Sequence, residues 1–292
     1  MENIIQVNQL SKRFKETTAL DGLTLTVGRG EIFGLIGPDG AGKTTALRIL
    51  AGLMKPGRGE ALVLGRKLPE EAELVKEHAG YMCQKFSLYT DLSIDENIRF
   101  FADLYGISSA ELDKRLEPLL AMTRLAPFRD RLAGRLSGGM KQKLALICTL
   151  IHRPEVLFLD EPTTGVDPLS RREFWEILQQ IHAEGVTIVV TTPYMDEAEQ
   201  CSRIGLMFKG KIIAMDTPRN LKKGLQKPVI EAHPKYPGKF AAAVASCAGI
   251  SDWQQLGDRF HIVADNEQAV SAVMAIQDAG ARRIAANIED VF

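Results

Sequence analysis

Long apolar runs are missing from this sequence. None approaches the ~20 uncharged residues that cross a bilayer, so any membrane role is expected to run through a partner. The first ten residues lack a basic stretch followed by an apolar one, so no signal peptide is expected. Cysteine is scarce and scattered: Cys83, Cys148, Cys201 and Cys247 form no C-x-x-C pair. That points to a reduced cytoplasmic compartment and to thiols that act as small apolar fillers. The five histidines show no metal-ligand spacing. Excess charge of either sign is also absent. With 36 Lys and Arg against 37 Asp and Glu, the net charge is -1, which gives no basic field for nucleic acid and no acidic tail. What is present is ordinary globular composition, 45% hydrophobic and 25% charged over 292 residues. It suffices for one large domain or two smaller ones without disulfides or metals.

Residues 4–10 and 23–27 read as strands. A turn at 28–30 leads to a short apolar strand at 31–36, a glycine-rich loop at 37–42 and a helix through residue 50. Residues from about 92 to 150 read as mainly helical. Phe100, Phe101, Leu104 and Tyr105 recur at helical spacing, as do Leu112, Leu116, Leu119 and Leu120, and both sets are expected in the core. Apolar strands return at 156–159, 186–190 and 204–208, with Phe174, Ile177, Leu178 and Ile181 marking a helix face between them. Strands alternating with helices imply an α/β core with helices on its faces. A stretch rich in proline and lysine at 224–237 marks a boundary. Beyond it the order strand 229–232, helix 240–247, hairpin 253–256 and 260–263, helix 267–278 and strand 283–285 spells βαββαβ, a small ferredoxin-like α+β appendage. The expected domains are 1–226, with a helical subdomain at about 85–150, and 227–292.

Three segments carry chemistry. Gly37-Pro38-Asp39-Gly40-Ala41-Gly42-Lys43-Thr44-Thr45 fits G-x-x-x-x-G-K-[ST] between a strand and a helix. Its glycines let backbone N–H groups turn around phosphate oxygens, and the helix start adds its positive dipole end. Lys43 is placed to reach the β- and γ-phosphates and the Thr44 hydroxyl to bind Mg²⁺. The run Val156-Leu157-Phe158-Leu159-Asp160-Glu161 is an apolar strand ending in two acids. Ligands bind at such strand ends in open α/β sheets. Asp160 is expected to orient Mg²⁺ and Glu161 to act as general base on a water, although such a pair taken alone equally ends a solvated turn. The third segment, Leu136-Ser137-Gly138-Gly139-Met140 followed by Lys141-Gln142-Lys143, offers a serine hydroxyl, two glycine amides and a helix N-terminus to an anion.

At this third segment the sequence resembles the ABC ATPase family, whose signature is LSGG followed by a basic, Gln-containing helix. The resemblance runs from residue 4 to about 224, and the tail ending Ile288-Glu289-Asp290-Val291-Phe292 resembles the small C-terminal domain of drug-export ATPases. It implies a P-loop NTPase of ABC type that binds ATP and Mg²⁺. Ser137, Gly138 and Gly139 would face the γ-phosphate held by a second ATP-binding domain, either an identical copy or a tandem or heterologous partner. Further positions match one by one. Phe14 matches the aromatic that stacks on adenine, Gln84 the glutamine that senses Mg²⁺, and Asp167 the aspartate that contacts the partner domain. Phe86, Leu88 and Tyr89 would form a groove for a coupling helix, or else core of the helical lobe. The implied partners are transmembrane permease subunits at the cytoplasmic face of the membrane, and the implied activity is ATP hydrolysis coupled to export of drugs or other small molecules.

Two positions depart from the family. The loop carries Asp39 where Asn is usual, and Pro193 stands where the family places a histidine that contacts the γ-phosphate. Proline offers neither a side-chain donor nor a backbone N–H, so ATP binding is expected to survive better than hydrolysis. Two other readings stay open: a soluble ABC protein acting on ribosomes or DNA, against which stand a single ATP-binding domain and the balanced charge, and a domain that clamps ATP with little turnover.

Overall fold

The computed structural model describes residues 2–85 and 87–292, so Phe86 lies outside the described residues. The chain divides between Met215 and Asp216 into two compact units.

The first unit holds two sheets and a helical lobe. Its opening strands β1 (Asn3–Phe14) and β2 (Thr17–Gly28) pair antiparallel. The strand β3 (Ile32–Ile36) is buried throughout, and the loop after it enters α1 (Lys43–Leu50). Three elements that the sequence reading left unassigned follow: β4 (Arg58–Val63), β5 (Arg66–Leu68) and α2 (Ala72–His78). The first sheet has the order β2-β1-β4-β5. After β6 (Ala79–Met82) the chain leaves for the lobe, formed by α3 (Ile94–Leu104), α4 (Ser109–Thr123) and α5 (Gly138–Leu150). It returns through β7 (Val156–Asp160), α6 (Pro168–Ala183), β8 (Thr187–Thr192), β9 (Arg203–Phe208) and β10 (Lys211–Asp216). The second sheet runs β10-β9-β3-β8-β7-β6, with β3, β6, β7, β8 and β9 paired in parallel. β3, β7 and β8 are buried along their whole length because both of their faces are covered. This is the α/β core expected from the sequence.

The lobe has a core of its own, built on Ile94, Ile98, Ala102, Leu112, Leu116, Leu120, Leu144 and Ile147. One expectation fails here. Phe101 packs against this core, but Phe100, Leu104 and Tyr105 are 40%, 68% and 41% exposed. The buried face of α3 instead carries Asn97, whose amide donates to the carbonyls of Tyr89, Leu92 and Ser93. A polar residue that satisfies three backbone groups occupies a core position, so the aromatic stripe turns outward. Leu88 is buried in the lobe core and Tyr89 is exposed. Of the four cysteines, Cys148 and Cys201 are buried, while Cys83 and Cys247 are half-buried.

The second unit begins with α7 (Pro218–Gly224), which Thr217 caps by accepting from Asn220 N–H at 3.1 Å. This helix falls in the second unit, whereas the sequence expectation carries the first domain through residue 226. Then come β11 (Val229–Ala232), α8 (Pro237–Ala245), β12 (Ile250–Leu256), β13 (Arg259–Ala264), α9 (Glu267–Met274) and β14 (Arg282–Ile284). The sheet order β12-β13-β11-β14, all antiparallel, is the ferredoxin-like arrangement. α9 stops at Met274, short of residue 278, where Asp278 turns left-handed with φ 57°.

Candidate functional site

The loop between β3 and α1 lies at the carboxyl ends of the parallel strands, where Gly37 N–H donates to Thr192 O at 3.4 Å. Gly42, with φ 106°, closes the loop and caps α1. A Cβ at this position would lie 2.3 Å from Ala19 O, so only glycine fits. The N–H groups of the first turn of α1 have no intrahelical acceptor and form a cradle for an anion. Lys43 is 3% exposed, and its ammonium donates to Gly37 O at 2.7 Å and Pro38 O at 3.0 Å. It also pairs with Glu161 Oε1 at 3.2 Å. Pro38, Asp39 and Gly40 are exposed, Ala41 is buried, and Thr44 and Thr45 are half-buried.

Asp160, at the end of β7, is fully buried. Its Oδ1 accepts from Thr44 Oγ1 and Thr191 Oγ1, both at 2.9 Å, and its Oδ2 from Tyr81 OH at 3.2 Å. Three hydroxyl donors compensate the burial of a carboxylate. Burial also pushes the Tyr81 phenol up to about 12; Arg48, whose Nε lies 3.4 Å from the phenol oxygen, opposes that rise and Asp160 adds to it.

Glu161 turns the chain at φ 47°, a left-handed conformation that costs a non-glycine residue ~1–3 kcal/mol. Its N–H donates to Thr191 O at 3.1 Å and Thr191 Oγ1 at 3.0 Å, which fixes the turn. Its carboxylate accepts from Gln84 Nε2 at 2.7 Å and Thr164 Oγ1 at 3.3 Å. The structure thus brings Lys43, Thr44, Gln84, Asp160 and Glu161 into one connected cluster. It draws in Tyr81 and Thr191, which the sequence reading did not single out. Tyr81 sits three residues before Gln84 on β6, and Thr191 pairs with Asp160 in the register of β7 and β8, so strand pairing was the signal that pointed to them.

The remaining expected residues form a second group. Ser137 caps α5 by accepting from Met140 N–H at 3.3 Å, with Gly138 and Gly139 in its first turn. A Cβ on Gly139 would meet Ser170 Cβ and Oγ at 2.5 Å, so α5 and α6 approach closely there. Asp167 caps α6 through Ser170 N–H at 3.0 Å, and this bond lowers its carboxyl below the usual range. No hydrogen bond joins Ser137, Gly138 or Gly139 to Lys43, Thr44, Asp160 or Glu161 among the described residues. Phe14 ends β1 with its ring 44% exposed and the Lys12 ammonium 5.4 Å from its centroid. Pro193 directly follows β8, whose last residue, Thr192, accepts from Tyr194 N–H through Oγ1 at 3.0 Å.

This donor set fits a nucleotide triphosphate with a hard cation. A buried ammonium and free helix-start amides suit phosphate, and the oxygens of Thr44 and Asp160 are of the type Mg²⁺ takes. Comparison with known proteins agrees. Residues 20–164 match the ABC transporter family. The chain is 47% identical over 221 residues to the probable multidrug ABC transporter ATP-binding protein YbhF of Escherichia coli, covering 76% of this chain but only 38% of that protein. It is 37% identical over 292 residues to the Nod factor export ATP-binding protein I of Burkholderia thailandensis, covering 99% of this chain and 95% of that one. Among solved structures, an ATP-binding subunit of an ABC transporter matches with TM-score 0.68 at 32% identity, over 76% of this chain and 92% of that chain. An ATP-binding cassette in a dimeric, post-hydrolysis state bound to ADP and Pi matches with TM-score 0.66 at 26% identity, over 73% and 98%. The chain belongs to the family of ABC transporter ATP-binding proteins.

Proposed function

We propose that this chain is the ATP-hydrolysing engine of a membrane export transporter, bound to permease subunits at the cytoplasmic face of the membrane. The observation that carries this reading is the connected cluster of Lys43, Thr44, Gln84, Asp160 and Glu161 at the carboxyl ends of the parallel strands. Lys43 and the amides of residues 39–45 hold the phosphates, and Phe14 stacks on the adenine. Thr44, Asp160 and Gln84 hold Mg²⁺, which when bound neutralises phosphate charge. Glu161 takes the proton of the attacking water. Ser137, Gly138, Gly139 and Asp167 face a second ATP-binding domain, which is a copy of this chain or a related partner; the dimeric cassette among the similar structures supports that pairing. Export as the direction, and drugs or other small molecules as cargo, are supported by relatives named for multidrug transport and Nod factor export. Balanced charge supports a protein rather than a nucleic-acid partner.

Pro193 favours a second reading, in which ATP clamps two domains together with little turnover. A steady-state ATPase assay with Glu161→Gln as background separates the two: turnover well above that background supports the engine, and turnover equal to it supports the clamp. Co-purification with a membrane protein supports the transporter assignment, and co-purification with ribosomes contradicts it.

A further inference from the structure

A buried acid outside the cluster is tied to it. Glu197 lies in the 3-10 segment Met195–Gln200 after β8 and is 3% exposed. Its Oε1 accepts from Thr163 Oγ1 at 2.7 Å, and Arg171 Nε of α6 stands 3.9 Å away. Its Oε2 is buried and has no hydrogen-bond partner. One short bond and one distant guanidinium compensate a buried carboxylate poorly, and an apolar side chain would be the cheaper occupant. What the acid supplies is position.

Thr163 sits in the turn that follows β7, two residues after Glu161. Its neighbour Thr164 donates to Glu161 Oε2 at 3.3 Å, and the Thr163 carbonyl accepts from Val166 N–H at 3.2 Å. On the other side, Glu197 N–H donates to Tyr194 O at 3.3 Å, and Tyr194 N–H donates to Thr192 Oγ1 at 3.0 Å. The segment is also held by α6: the Arg171 guanidinium lies 4.8 Å from the Tyr194 ring centroid and 3.4 Å from Asp196 Oδ2, and Gln179 Nε2 donates to Gln200 O at 2.9 Å. Thr163 with Glu197 is therefore a direct side-chain tie between the turn that carries Glu161 and the segment that follows Pro193.

We propose that Thr163 and Glu197 are positioning residues, which hold the Glu161 turn in register with the post-β8 segment and act on ATP hydrolysis through Glu161 without touching the nucleotide. This rests on the ATPase reading above. Thr163→Ser keeps the hydroxyl. Thr163→Val keeps the shape and removes it. The double variant Thr163→Val with Glu197→Met removes the donor and the buried charge together, which leaves no uncompensated acid and keeps the protein folded if the single variant is too unstable.

The measurement is kcat and KM for ATP, paired with amide hydrogen exchange of peptides covering residues 161–166 and 193–200, which needs no turnover. Thr163→Ser is expected to match the natural protein in both. Thr163→Val, or the double variant in its place, is expected to lower kcat ~10-fold or more with KM unchanged and to speed exchange in both peptides. Wild-type kcat together with unchanged exchange in the variant lacking the hydroxyl overturns the proposal. A natural protein with no turnover counts against the ATPase reading instead, and exchange alone then decides whether the tie exists.

Discussion

Replacing Pro193 by His isolates the most unusual feature of the site. Residue 193 follows Thr192, whose carbonyl accepts from Gly37 N–H at 3.4 Å, so the substitution falls one residue from the mouth of the phosphate loop. A donor aimed at charge that develops in the transition state is worth ~3 kcal/mol, or about two orders of magnitude in rate. Lys43, Thr44 and the loop amides are unchanged, so KM for ATP is expected to move only a few-fold. The change also has a structural cost. Losing proline frees the unfolded chain and lowers stability by ~0.4–1 kcal/mol, or about 1–4 °C in Tm. Pro193→Ala carries the same cost without the imidazole. The assay is steady-state ATP hydrolysis by the natural protein, Pro193→His and Pro193→Ala, with Glu161→Gln as background. The expected result is a large rise in kcat for His and none for Ala. If the natural protein already turns over as fast as the His form, the site reaches its transition state by other donors and the reasoning is refuted.

Three further expectations concern pairing, packing and pH. Glu161→Gln with ATP and Mg²⁺ is expected to elute as a dimer from a sizing column; a monomer at high concentration contradicts pairing of identical copies. Gly139→Ala pushes a methyl group to 2.5 Å from Ser170, and such overpacking is expected to lower stability by ~1–3 kcal/mol, read as a fall in Tm; an unchanged Tm contradicts the close approach of α5 and α6. In the second unit, Arg282 hydrogen bonds to Glu231 first, with further help from neighbouring His233 and His261, hold that carboxyl down to about 2 against an ordinary 4.5. A lowered folded value means that this stability is complete above about 4.5 and drains away as pH falls toward 2. Glu231→Gln is expected to melt below the natural protein at pH 7, with the gap narrowing in melts at pH 4 and pH 3; a gap independent of pH refutes the assignment.

The phosphate loop and the Asp160–Glu161 strand end were legible in the sequence because each is a local pattern with a local cause: glycines at tight turns and an apolar strand that delivers acids at its end. What the sequence hid was non-local. Tyr81 and Thr191 meet Asp160 only because β6, β7 and β8 pair in parallel, and Thr163 meets Glu197 only because the turn after β7 and the segment after β8 lie side by side. The aromatic stripe of α3 faces outward against expectation because spacing gives the period of a face and not its direction. Asn97, polar by type, is the buried residue, and Leu104, apolar by type, is the exposed one. The strands β4 and β5 escape the pattern because they are short and half-exposed and lack a clean alternation.

The central claim is that ATP binds at the loop between β3 and α1, and Lys43→Ala tests it most directly. Truncation also leaves Glu161 without its ammonium partner, so the Tm of each protein is compared with and without nucleotide, and only the shift is read. Magnesium ATP at a hundred times its dissociation constant contributes ~2.7 kcal/mol, which is about 5–10 °C in Tm for a unit of this size. The natural protein is expected to show that shift and Lys43→Ala to lose most of it. An equal shift in both proteins would mean that the nucleotide, if it binds at all, binds elsewhere.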